Sequence, residues 1–82
     1  MLKGVKKMER EWMIEARKEL GFSKSELAKE VKVVRSYITE IEKGNKSPSG
    51  KLALKLSRVL KVRMEKFFEE ELEAEERELV NQ

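Results

Sequence analysis

Two apolar-periodic segments of this chain are joined by only three residues, and that join restricts the folds open to it. Leu27, Ala28 and Val31 recur at the spacing of one helical face, Ile38 and Ile41 do the same on the next segment, and Lys32, Val33 and Val34 separate Val31 from Arg35. So short a connection forces an αα corner at a steep angle, and Ala28 is small enough to let the two helices approach closely. The arrangement is a helix-turn-helix. Its second helix is amphipathic, with Ile38 and Ile41 on one side and positions 35, 36, 39, 40 and 43 on the other.

The rest of the chain reads as helix too. One proline, four glycines and few β-branched clusters in 82 residues favour an all-α domain divided into five helices. The first runs from about Met8 to Leu20, turns Met13, Ala16, Arg17 and Leu20 to one side, and stops at Gly21. Ser23-Lys24-Ser25-Glu26 is a capping-box pattern that starts the second. Gly44 closes the third, where a positive φ is usual. Asn45 to Ser49 is a loop by composition, and Ser49 caps a fourth helix from Gly50 to Leu60 with Leu52, Ala53, Leu56 and Leu60 inward. A fifth begins near Met64 and carries Phe67, Phe68, Leu72 and Leu79 into a stretch with seven Glu between 69 and 78. This divides the chain into a basic arm over 1–7, a helix-turn-helix domain over 8–68 and an acidic helical extension over 69–82.

Charge is distributed unevenly over that plan. The net charge is +3, but residues 1–63 carry 17 Lys/Arg against 8 Glu, a balance of +9, and residues 64–82 carry 2 against 8, a balance of −6. A basic body suits a polyanion, and the acidic end has a separate task. Cysteine and histidine are both absent, which removes disulfides, thiolate and imidazole metal sites and the commonest general base. The glutamates lie on exposed faces with no nucleophile and no glycine-rich phosphate loop, so the expectation is no enzyme, no cofactor and no bound metal. No apolar run approaches the roughly 18 residues of a membrane span, and MLKGVKKMER lacks the apolar core of a signal peptide, so a cytoplasmic protein is expected.

A helix in the major groove reads bases mainly from its N-terminal end, here Arg35 and Ser36, with Thr39 and Glu40 one turn on. Arg pairs with guanine, Glu accepts from cytosine N4, and Val34, which lacks a hydroxyl to reach a phosphate, suits a thymine methyl. The sequences FSKSELAKEVKVVRSYITEIEKG and PSGKLALKLSRVLKV carry a further signal. Over about residues 10–68 the chain resembles the phage Cro and repressor type of helix-turn-helix protein, the XRE family, with its five-helix, lambda-repressor-like fold.

The resemblance implies several roles. Arg17 and Glu42 match a partly buried ion pair; Lys24, where the family usually has Gln, matches a phosphate contact at a helix N-terminus; Tyr37, Lys43, Asn45 and Lys46 match the other backbone contacts. Three positions depart from the pattern: Lys32 and Lys61 stand where Gly is usual, and Val34 stands where Ser or Thr caps the third helix. Lysine at positive φ, or a lost cap, each costs on the order of 1 kcal/mol.

The function expected is a sequence-specific regulator that binds double-stranded DNA as a homodimer on a near-palindrome, with no membrane or small-molecule partner. Phe68, Leu72, Leu79 and Trp12 are the candidates for the dimer interface. The alternative is a protein-interaction adaptor, an antitoxin, antirepressor or coactivator, that binds its partner through the acidic helix.

Overall fold

The computed structural model describes residues 9–69, 72, 73, 75 and 76. It contains α1 (Glu11–Glu19), α2 (Lys24–Glu30), α3 (Arg35–Glu42) and α4 (Gly50–Leu60), followed by a 3-10 turn over Met64–Phe67.

All four α-helices end in the same manner, on a residue in the left-handed region that reverses the chain. Gly21 (φ 81°) and Gly44 (φ 82°) take that conformation without a Cβ penalty, whereas Lys32 (φ 62°) and Lys61 (φ 60°) carry a side chain into it. Each stop also occupies helical carbonyls that would otherwise lack a donor. Val33 N–H donates to Ala28 O at 2.9 Å, Asn45 N–H to Glu40 O at 3.0 Å and Val62 N–H to Ser57 O at 3.1 Å. Left-handed lysine costs about 1–2 kcal/mol, partly offset because glycine loses about 0.4–1 kcal/mol more chain entropy on folding. Lys32→Gly and Lys61→Gly are each expected to stabilise by roughly 0.5–1 kcal/mol. Lys55→Gly, inside α4, is expected to destabilise by about 1 kcal/mol. Denaturant melts of the three variants test this, and the same sign at all three would refute it.

The helix starts differ more. Ser23 Oγ accepts from Glu26 N–H at 3.0 Å while Glu26 Oε1 accepts from Ser23 N–H at 2.8 Å, a complete capping box. Ser49 Oγ likewise accepts from Leu52 N–H at 3.2 Å. Val34, ahead of α3, offers no side-chain cap. The backbone and then the side chain of Ser23 hold the Glu26 carboxyl below its ordinary value of 4.5. A folded-state value beneath the unfolded one gives stability that is present above about pH 4.5 and is lost as pH falls through the folded-state value. The melting-temperature gap between wild type and Glu26→Gln is therefore expected to be full at neutral pH and to close in acid; a gap independent of pH would detach the carboxylate charge from the cap.

The core is continuous across all four helices. Met13 from α1, Leu27 and Ala28 from α2, Ile38 and Ile41 from α3, and Leu52, Ala53 and Leu56 from α4 are buried, with Val31 and Leu60 at the helix ends and Phe67 closing the far side. α2 and α3 meet across the three-residue corner. Leu20, expected to face inward, is 39% exposed, because α1 ends at Glu19 and Leu20 already belongs to the turn before Gly21.

Two other expectations need correction. The first helix does not begin at about Met8: Glu9 and Arg10 are non-helical, and Arg10 N–H donates across the fold to Glu42 O at 2.8 Å instead of joining a preceding turn. Met8 itself lies outside the described residues. The fifth α-helix does not start at Met64 either. There the bonds run from residue i to i+3, with Lys66 N–H to Arg63 O and Phe68 N–H to Glu65 O, which makes a 3-10 turn. Helical backbone follows at Glu69, Leu72, Glu73, Glu75 and Glu76.

Candidate nucleic-acid interface

The side of α3 away from the core is polar from one end to the other. Val34 is 69% exposed at its start, Arg35 and Ser36 are exposed in its first turn, and Thr39 and Glu40 are half-buried one turn later. Lys43, Asn45 and Lys46 are exposed in the turn that follows. Tyr37 is half-buried and packs against the core. Lys24 is half-buried in the first turn of α2.

Among the described residues the ion pairs are Arg17–Glu42 and Arg63–Glu65, so Lys24, Arg35, Lys43 and Lys46 have no carboxylate partner among them. Their charge is available to an outside anion. Phosphate is the anion such a surface suits, since lysine and arginine beside a duplex displace its condensed counterions.

The structure brings two of the expected contact residues together. Asn45 Nδ2 donates to Glu40 Oε1 at 3.1 Å, and the Asn45 and Lys46 N–H groups both donate to Glu40 O. Glu40 therefore anchors the loop after α3 with its backbone and one carboxylate oxygen.

Behind this face lies a layer of buried charge. Arg17 Nε donates to Glu42 Oε2 at 2.7 Å, a second guanidinium nitrogen donates to Glu42 Oε1 at 3.3 Å, and a third donates to Phe22 O at 3.0 Å. The pair ties α1 to the last turn of α3. Arg10, which sequence reasoning passed over, is 6% exposed and donates to Ile41 O at 2.8 Å, Lys46 O at 3.1 Å, Ser47 Oγ at 3.5 Å and Phe67 O at 3.4 Å. It fastens the end of α3, the loop beyond it and the 3-10 turn to one guanidinium. No buried side-chain nitrogen or oxygen among the described residues lacks a hydrogen-bond partner.

The residues considered for a dimer interface divide. Trp12 packs edge-on against Phe67 with ring centroids 4.9 Å apart, and Lys66 Nζ sits 5.5 Å over the indole. Trp12 and Phe68 are both partly buried against the chain's own core. Leu72 is 54% exposed, and Leu79 lies outside the described residues.

The helix-turn-helix family profile matches residues 13–67. The chain belongs to that family, in its Cro and repressor, or XRE, branch. Among its relatives, an uncharacterized HTH-type transcriptional regulator of Archaeoglobus fulgidus is 44% identical over 54 residues, which span 66% of this chain and 77% of the relative. The HTH-type transcriptional regulator YqaF of Bacillus subtilis is 36% identical over 63 residues, spanning 77% of this chain and 83% of the relative. Among solved structures, a chain of a SinR protein/SinI protein complex superposes with a TM-score of 0.63 at 35% identity, covering 87% of this chain and 73% of that one. Family membership accounts for the corner, for the outward polar helix and for the all-helical body. Among the described residues no helix is long and apolar enough to cross a membrane, and no group of three or more His, Cys, Asp or Glu is placed to hold a metal ion.

Proposed function

We infer that this chain is a DNA-binding transcriptional regulator that lays α3 in the major groove, reads bases with Arg35 and Ser36, and adds contacts from Val34, Thr39 and Glu40. Lys24, Tyr37, Lys43, Asn45 and Lys46 hold the phosphate backbone. The observation that carries this reading is the outward face of α3, where an exposed arginine, serine and valine at the helix start accompany lysines that have no ion-pair partner among the described residues. Base-reading residues specify sequence and the lysines position the domain.

One such face grips half a site. Two copies related by a two-fold axis read a near-palindrome with half-sites about 34–36 Å apart. Glu69, Glu73, Glu75 and Glu76 after the 3-10 turn, with Leu72 exposed among them, serve that pairing.

Selection from random duplexes at two salt concentrations tests the proposal. The expected result is enrichment of a palindrome with G or C near each half-site centre. Arg35→Ala is then expected to lose about 1–3 kcal/mol of discrimination at the guanine position, with less change on sites altered there. A uniform loss on every sequence would reassign Arg35 to phosphate, and a featureless selected pool would overturn sequence-specific binding.

The second reading, a protein-interaction adaptor, draws its support from the solved relative, which is a complex of SinR with a second protein, SinI. It predicts a featureless pool together with a protein ligand for the acidic segment.

A further inference from the structure

The exposed side of α4 carries Lys51, Leu54, Lys55 and Arg58, at positions i, i+3, i+4 and i+7. These four share one helical face, with a leucine set among three cations. The helical residues after the 3-10 turn repeat the same spacing with the opposite charge, in Glu69, Leu72, Glu73 and Glu76. Each residue of the first set has its counterpart 18 positions on. Leu54 is 41% exposed and Leu72 is 54% exposed. None of the six charged groups has an ion-pair partner among the described residues.

Among the described residues no ion pair joins the two faces within one chain, although only residues 61–68 lie between α4 and Glu69. The 3-10 turn packs against the body through Phe67 and leaves both leucines open to solvent. Their complement is therefore a second copy. We propose that the Lys51–Leu54–Lys55–Arg58 face of each copy receives the Glu69–Leu72–Glu73–Glu76 face of the other, so that the two contacts are made reciprocally about a two-fold axis.

This rests on the dimeric reading above and names the surface that reading lacked. A two-fold axis makes the contact twice, which doubles the effect of each charge pair. A phosphate backbone would match the cations of α4 but would offer nothing to Leu54, whereas the acidic face brings its own leucine. Contacts of this kind sit at high dielectric and are screened by salt, so the dimer is salt-sensitive. An interface built on Trp12 and Phe68 would not be.

The test is a charge exchange on the full chain, read by sedimentation. One variant carries Lys51→Glu, Lys55→Glu and Arg58→Glu; the other carries Glu69→Lys, Glu73→Lys and Glu76→Lys. Circular dichroism melts check that both fold. Each alone is expected to dimerise at least about tenfold more weakly than wild type, because acid then faces acid or base faces base. An equimolar mixture is expected to recover wild-type affinity, since both contacts are complementary only in the mixed dimer. Wild-type dimers are expected to weaken about tenfold between roughly 0.05 M and 0.5 M salt.

A mixture that stays monomeric while wild type dimerises overturns the proposal, as do single variants that dimerise like wild type; in both cases the two-fold reading stands and the interface lies elsewhere. Wild type that is monomeric at every concentration overturns both together. If the α4 variant remains dimeric but loses affinity for duplex at every sequence, the face belongs to phosphate and the proposal fails.

Discussion

Arg17→Ala is expected to destabilise the protein by about 3–5 kcal/mol, while Lys18→Ala, one position along on the exposed side of α1, changes stability by no more than about 0.5 kcal/mol. The difference follows from what each side chain leaves behind. Glu42 is 2% exposed, and both its oxygens accept from Arg17, so alanine at 17 strands a buried carboxylate. It also removes the side-chain donor to Phe22 O, at the turn where α1 gives way to α2. Among the described residues Lys18 has no such partner. Most of the penalty is desolvated charge rather than lost attraction, so removing both charges is milder than removing one. The double variant Arg17→Met, Glu42→Leu is expected to recover most of the loss, keeping a residue of about 1 kcal/mol for the carbonyl of Phe22. Denaturant melts of the four proteins give the comparison. Equal stabilities for Arg17→Ala and Lys18→Ala would remove the buried pair from any structural role.

What the amino-acid order discloses here depends on whether a feature is local. The corner between α2 and α3 follows from three intervening residues, the capping box from Ser23 and Glu26, and the inward faces of α2 and α4 from their periodicity. Lys32 and Lys61 stand out only against the family pattern, which usually has glycine at both helix stops. The 3-10 turn at Met64 is less legible: Met64 and Phe67 are three apart, a spacing that serves a 3-10 turn as well as an α-helix. The bond between Asn45 and Glu40 escaped notice for a different reason, since both residues sit on the polar side and periodicity assigns polar residues to solvent. The opposed faces of α4 and the acidic segment are visible in the sequence only once the helices are drawn. Arg10 gave no signal whatever. Its carbonyl partners lie 31, 36 and 57 positions away, and a backbone carbonyl is a group every residue possesses.

Arg10 for that reason supplies the second large effect. The guanidinium is buried, yet among the described residues no carboxylate pairs with it; three carbonyls and the Ser47 hydroxyl surround it. Ile41 O belongs to the C-terminal end of α3, where the helix dipole is negative, so the end of the helix supplies part of the counter-charge. Arg10→Ala leaves the carbonyls of Ile41, Lys46 and Phe67 without that donor. At about 1–3 kcal/mol for a buried group left unsatisfied, and with water able to reach the more open Lys46 carbonyl, a total near 3 kcal/mol is expected. Arg10→Lys retains the charge but not the planar fork that reaches three segments at once, and is expected to recover less than half of the loss. The damage is not confined to global stability. Lys46 and Ser47 are held from below by this one side chain, so amide exchange at Asn45 and Lys46, whose N–H groups donate to Glu40 O, is expected to quicken in Arg10→Lys under conditions where the rest of α3 stays protected. Exchange that quickens uniformly along the chain would reduce Arg10 to an ordinary core contact. Selective loosening would make it the residue that stiffens the lysine-bearing loop from within, and would explain why a cation is buried where no anion among the described residues faces it.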